Sequence, residues 1–211
     1  MRREGGHQNW WPGDTPFEVM VGAILTQNTA WTNVEKAIHK LKQARVLDPE
    51  KLYRAPVSRM RVWLKPSGFF NIKTKRIKQF LDFFRSRYNF SVTRMKRVDT
   101  KVLRDELLSV HGIGRETADS ILLYALEKPI FVVDAYTRRI FSRHGLIKKD
   151  APYDEIQRWF EKQLPASRDL FNDYHAQIVQ IGKDYCRKNP DCFHCPLNFL
   201  FDKQSPFLSV L

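Results

Sequence analysis

A pair of glycines and a carboxylate downstream of them carry the strongest chemical signal in the chain. In Leu108-Ser109-Val110-His111-Gly112-Ile113-Gly114-Arg115-Glu116-Thr117 an apolar helix runs into a Gly-x-Gly turn that opens a second helix. Glycines permit positive φ and let backbone N–H groups close on an oxygen ligand, and the helix opening at Arg115 adds the positive end of its dipole. A phosphate suits such a turn. Contacts from Gly112, Gly114, Arg115 and Thr117 would hold it in place without reading a base sequence. Asp134 then stands alone after the apolar run Val132-Val133. It can act on the gripped nucleotide, or N-cap the helix that begins at Ala135, and the two roles are compatible because a cap fixes the carboxylate.

The elements that must position these groups read as helices. Phe17, Met20, Val21, Ile24 and Leu25 repeat at three and four residues behind Asp14-Thr15-Pro16, which predicts one apolar stripe on a capped helix. Leu103, Leu107 and Leu108 lead into the glycine turn, and Ala118, Ile121, Leu122 and Ala125 leave it. Tyr153, Ile156, Trp159 and Phe160 follow a helix start at Asp150-Ala151-Pro152, and Tyr174, Ile178, Val179 and Gly182 mark a helix running towards three cysteines. Only Pro129 to Val133 resembles a strand, and its length suits an extended connector better. The pattern predicts an all-α protein of about ten helices with a boundary near Glu127-Lys128-Pro129.

Charge points to the partner. Lys and Arg number 36 against 23 Asp and Glu, a formal net charge of +13. Such a field favours polyanions through counterion release. No apolar run approaches the ~18 residues that a bilayer span requires, and Met1-Arg2-Arg3-Glu4-Gly5-Gly6 leads into no signal-peptide core. A soluble, intracellular protein of the cytoplasm or nucleoid is expected, with no membrane partner. The three cysteines fall within ten residues, which suits a ligand cluster better than a secreted disulfide framework.

Ile24-Leu25-Thr26-Gln27-Asn28-Thr29, Gly68-Phe69-Phe70-Asn71-Ile72-Lys73, the hairpin from Leu108 to Ala118 and Val132-Val133-Asp134 together resemble the helix-hairpin-helix DNA glycosylases of the endonuclease III superfamily. Trp10-Trp11-Pro12, Leu25 to Thr29 and Gly112-Ile113-Gly114-Arg115-Glu116 bring the chain nearest to the bacterial 3-methyladenine DNA glycosylase III group. The resemblance implies two helical domains flanking a DNA cleft. One is a six-helix domain over residues 17–128, with the hairpin at about 103–126. The other joins 1–16 to 129–211 and carries Asp134 and the cysteines. It also implies a monomer that flips a damaged base from double-stranded DNA and cleaves the base–sugar bond.

Within that resemblance Asp134 is the essential carboxylate, placed to stabilise positive charge developing on the sugar or to orient water. Glu116 occupies the position where bifunctional members carry the lysine that forms a Schiff base with the sugar. A glutamate forms no imine, so a monofunctional enzyme using water is expected. Trp10, Trp11, Pro12 and Trp31 would border the base pocket, and electron-rich indoles attract cationic, alkylated bases. Alternative lesions, namely oxidised pyrimidines, uracil and mismatches, remain open, as does a non-catalytic damaged-DNA-binding protein. Gln27 would fill the space left by the extruded nucleotide, while Lys73, Lys75, Arg76 and Lys78 look like backbone contacts. Cys186, Cys192 and Cys195 resemble three of the four ligands of the superfamily's [4Fe–4S] loop, but Phe201 holds the fourth position. A cluster with an open or non-cysteine corner, zinc with His194, and no metal all remain open.

Overall fold

The computed structural model describes residues 11–201, and Trp10 lies outside them. The described residues divide between Lys128 and Pro129 into two units. Among them no strand forms.

The first unit is built around α1 (Pro16–Leu25). Thr15 accepts a hydrogen bond from the Glu18 N–H and Pro16 takes the first helical position, so the helix starts as its sequence directs. The expected single stripe understates its burial, because every residue after Pro16 is buried. A helix without a polar face must be enclosed on all sides. Its one charged residue, Glu18, is met by Lys42 at 2.7 Å from α2 (Trp31–Gln43). Around α1 pack α2, α5 (Phe70–Tyr88) and α8 (Arg115–Ser120), the last continuing as a π-helical turn over Ile121–Ala125, while α4 (Val57–Leu64) packs on α2 and α5 and α7 (Thr100–Ser109) packs on α8. Eight α-helices occur in this unit rather than six. The additional short ones, α3 (Pro49–Arg54) and α6 (Val92–Arg97), are closed by the side chains of Asp48 and Ser91 bonding to the Lys51 and Arg94 N–H groups. Good caps let a helix of that length persist when one face is buried, here at Leu52 and Met95.

The second unit begins with Pro129–Val133, extended and almost wholly buried from Ile130 on. With no neighbouring strand, its backbone is satisfied by side chains of α10 (Tyr153–Gln163). Gln157 Nε2 donates to the Phe131 carbonyl at 2.6 Å, Glu161 Oε1 accepts from the Phe131 N–H at 3.0 Å, and the Tyr153 hydroxyl accepts from the Val133 N–H at 3.2 Å. The Phe131 ring stacks on Phe160 with centroids 4.1 Å apart and meets Phe171 edge-on at 5.6 Å. This core presents Val133-Asp134 to α9 (Ala135–Arg143) and α11 (Arg168–Asp184).

Candidate functional site

The hairpin joins α7 to α8. Gly112 sits at φ +90°, and a Cβ there would lie 2.5 Å from Arg76 Cγ, so both backbone conformation and space require glycine. Gly114 differs from the expectation. Its φ of −90° and ψ of 176° are ordinary extended backbone at the cap of α8, and no atom lies within 4 Å of an added Cβ. Its value is open space above the helix start. Arg115 and Glu116 are exposed in the first turn of α8, whereas Thr117 is buried and turned inward. Asp119, buried completely, takes Arg104 Nε and Nη2 at 2.7 and 3.1 Å, which ties the two hairpin helices together. Neither partner stood out in the sequence, where each reads as one more surface charge.

Helix α5 organises what faces the hairpin. Lys73 is not a phosphate contact: it is 1% exposed, and its Nζ donates to the Leu25 carbonyl at 2.8 Å and the Ser67 carbonyl at 2.6 Å. Burial, aided by the nearby Arg76 charge, pushes its pKa down to about 8. Lys78 is likewise turned to the Tyr53 and Ala55 carbonyls, while Lys75 stays exposed. Gln27, half-buried, is held on three sides. Its Nε2 donates to the Gly112 carbonyl (3.0 Å) and the Thr117 hydroxyl (2.8 Å), and its Oε1 accepts from Arg76 Nη1 (2.5 Å). Lys73 therefore lashes the end of α1 to the 67–69 turn, and Arg76 lashes Gln27 to the hairpin. The turn also displays Phe69, 65% exposed and at φ +45°. A bulky residue both exposed to water and held in the left-handed region carries backbone strain. The motif containing Phe69 was visible in the sequence; its strain and exposure were not.

Asp134 caps α9. Its Oδ1 accepts from the Thr137 N–H at 2.7 Å and the Thr137 hydroxyl at 2.8 Å, leaving Oδ2 facing His175 Nε2 at 3.5 Å. Burial by itself would raise the carboxyl pKa; electrostatic attraction and hydrogen bonding from His175, followed by the Thr137 hydrogen bonds, outweigh it and hold Asp134 below its ordinary value. The result is an anion with one oxygen anchored and one available.

In the first unit, Trp11 meets Trp31 edge-to-face at 5.3 Å and Tyr124, from the π-helical turn, at 4.9 Å. Both indoles lie over Gly22, where an added Cβ would touch Trp11 Nε1 at 3.5 Å and Trp31 Cη2 at 3.6 Å. Trp31 Nε1 donates to Glu35 Oε1 at 2.8 Å. A cavity of about 360 Å³ borders Pro12, Trp31 and Glu35. Trp11, Trp31 and Pro12 thus share one neighbourhood, to which Tyr124 and Glu35 are additions.

Residues 21–166 match the family described as HhH-GPD superfamily base excision DNA repair protein. The chain belongs to that superfamily. It is 50% identical over 193 residues to a Methanocaldococcus jannaschii protein assigned by name alone as a DNA repair glycosylase, covering 91% of this chain and 88% of the relative. It is 31% identical to Thermotoga maritima endonuclease III, covering 85% and 79%. Among solved structures, the H. pylori 3-methyladenine DNA glycosylase bound to 1,N6-ethenoadenine aligns with a TM-score of 0.73 and 31% identity, over 82% of this chain and 87% of that one. As an HhH-GPD member the chain is a DNA glycosylase of base excision repair, a hydrolase acting on N-glycosyl bonds, and its partner is DNA. No helix among the described residues is long and apolar enough to cross a membrane.

The three cysteines singled out in the sequence come together near the end of the second unit. Cys186, Cys192 and Cys195 line one small cavity with Arg143 and His144. Arg143 Nη1 lies 3.2 Å from Cys186 Sγ, and the Leu197 N–H donates to Cys195 Sγ at 3.5 Å. Donors reach two of the three sulfurs, burial pushes the Cys195 thiol up, and Phe201 offers no thiol at the fourth position of the superfamily's loop. Zinc fits less well. Among the described residues no three His, Cys, Asp or Glu side chains converge as one ion demands, and His194 is exposed and paired through Nδ1 with Asp191 at 2.9 Å.

Proposed function

We propose that this glycosylase releases alkylated purines such as 3-methyladenine from duplex DNA by water-mediated hydrolysis, without cutting the strand. The observation that carries the substrate class is the Trp11–Trp31–Tyr124 cluster with Glu35 on the Trp31 N–H. A carboxylate accepting from an indole makes that ring more electron-rich, and each cation–π contact contributes roughly 0.5–2 kcal/mol. A base alkylated at N3 or N7 is cationic and already a good leaving group. Selection by charge and stacking then suffices, and Asp134 needs only to meet the cation that develops on the sugar. The ethenoadenine-bound relative supports a purine pocket.

The rest of the site follows the same reaction. Backbone N–H groups around Gly112 and Gly114 grip a phosphate. Phe69 supplies an apolar wedge of the kind that unstacks base steps, and Gln27 takes the place of the extruded nucleotide. Glu116 stands where a lyase lysine would, so the base leaves and the abasic sugar stays in an uncut strand.

A base-release assay across methylated DNA and duplexes carrying oxidised pyrimidines, uracil or mismatches tests this reading. Release of methylated purines with no adduct after borohydride treatment is expected. Release restricted to oxidised pyrimidines would remove the substrate assignment, and a trapped wild-type adduct would remove the hydrolytic one.

The cysteine loop is proposed to hold a [4Fe–4S] cluster through Cys186, Cys192 and Cys195. When bound, it would cross-link the loop and supply a one-electron centre. Protein purified without oxygen should contain about four irons per chain and absorb broadly near ~400 nm. Iron-free protein with three reactive thiols would rule the cluster out.

A further inference from the structure

The α9–α11 contact is closer than ordinary side chains allow. A Cβ on Gly182 would fall 2.2 Å from Tyr136 Cδ1, so α11 accepts the Tyr136 ring against bare backbone. Arg139 of α9 strengthens the contact, donating to the carbonyls of Gly182 at 2.9 Å and Cys186 at 2.7 Å. His175 lies seven residues before Gly182, on the same face of α11. Drawing the start of α9 onto that face is what brings Asp134 to the His175 ring, with the two side chains 11% and 5% exposed. His175 Nε2 is buried 3.5 Å from Asp134 Oδ2, so it is placed to act through Asp134.

We propose that His175 is a positioning residue for Asp134, aligning Oδ2 and favouring the ionised form in which a nearly dry carboxylate meets the sugar cation. The division of labour is visible in the two oxygens. Thr137 occupies Oδ1 with two donors, which fixes the carboxylate plane, and His175 faces Oδ2, the oxygen left for chemistry. The other charged neighbours are committed elsewhere. Arg138 donates to the Ala151 carbonyl, Arg139 is spent on α11 backbone, and Asp173 lies about 200° around α11 from His175. Tyr174, its phenol raised by burial, stays neutral. The role rests on the proposed base-release reaction, but part of its test needs no substrate.

The Asp134 carboxyl is titrated by 13C NMR in wild type and in His175→Gln, and single-turnover base release is followed against pH in both. The carboxylate is held low by His175, so removing that ring should raise its titration. The acid limb of the rate should move up by the same interval, with lesion-DNA affinity unchanged. An Asp134 titration and acid limb identical in the two proteins would overturn the proposal. Should the variant fail to fold, wild type alone decides: 15N shifts of the His175 ring must respond across the interval in which Asp134 gains its proton, and an indifferent ring overturns the pairing. A wild type that releases no alkylated purine would contradict the substrate reading while leaving the NMR result to judge the pair.

Discussion

Asp134→Asn should lose base release by about three orders of magnitude, the scale of removing a charge-stabilising group from a preorganised site, while still binding lesion DNA. The substitution is informative because it is so narrow. The amide oxygen can still accept from the Thr137 N–H and hydroxyl, so the α9 cap and the carboxamide plane are retained. Only the charge at Oδ2 disappears. Asp134→Ala would confound the result by removing the cap as well, at a cost of ~1 kcal/mol in stability. Single-turnover rates on a methylated duplex, with affinity measured by anisotropy on the same duplex, separate chemistry from binding. Activity of the Asn variant within tenfold of wild type would mean that Asp134 does no more than start a helix.

Asp119→Ala should be the most destabilising single change in the hairpin. Asp119 is wholly buried and Arg104 makes a two-pronged contact with it from the neighbouring helix. Truncating one partner of a buried pair leaves the other charge uncompensated, a loss of about 3–5 kcal/mol. For a chain of this size that is a fall in Tm on the order of 10 °C. Replacing both partners with apolar residues, Arg104→Met with Asp119→Leu, should recover most of the loss, since the pair's desolvation cost goes with it. Thermal melts of the three proteins read this directly. A single variant that melts with wild type, or a double variant no better than the single, would show that the pair contributes little.

How much of this was legible beforehand depended on the range over which a residue finds its partners. The hairpin, the Asp134 cap and the connector after Pro129 are local, and turn chemistry or periodicity exposes them. Lys73, Gln27 and Asp119 are not local. Lys73 finds its acceptors at Leu25 and Ser67, and Gln27 finds its own at Gly112 and Thr117. In a basic run such as Lys73-Thr74-Lys75-Arg76 a buried lysine and an exposed one look alike, because helix phase alone does not reveal where carbonyls await. Gly114 misled for the opposite reason: a glycine beside a true positive-φ glycine invites the same explanation, yet its role is vacancy. His175 carried no signal, since a histidine in an apolar helix face is most often core.

The extended segment before Asp134 has a consequence for how the protein behaves in a crowded solution. Ile130 to Val133 is a short, β-branched and aromatic run of the type that pairs edge-to-edge between molecules. Here the edge is already spoken for, because Gln157, Glu161 and Tyr153 take the Phe131 and Val133 backbone groups that a second chain would seek. Helix α10 therefore guards this edge against pairing with a second chain as well as scaffolding the approach to Asp134, through three side chains rather than a neighbouring strand.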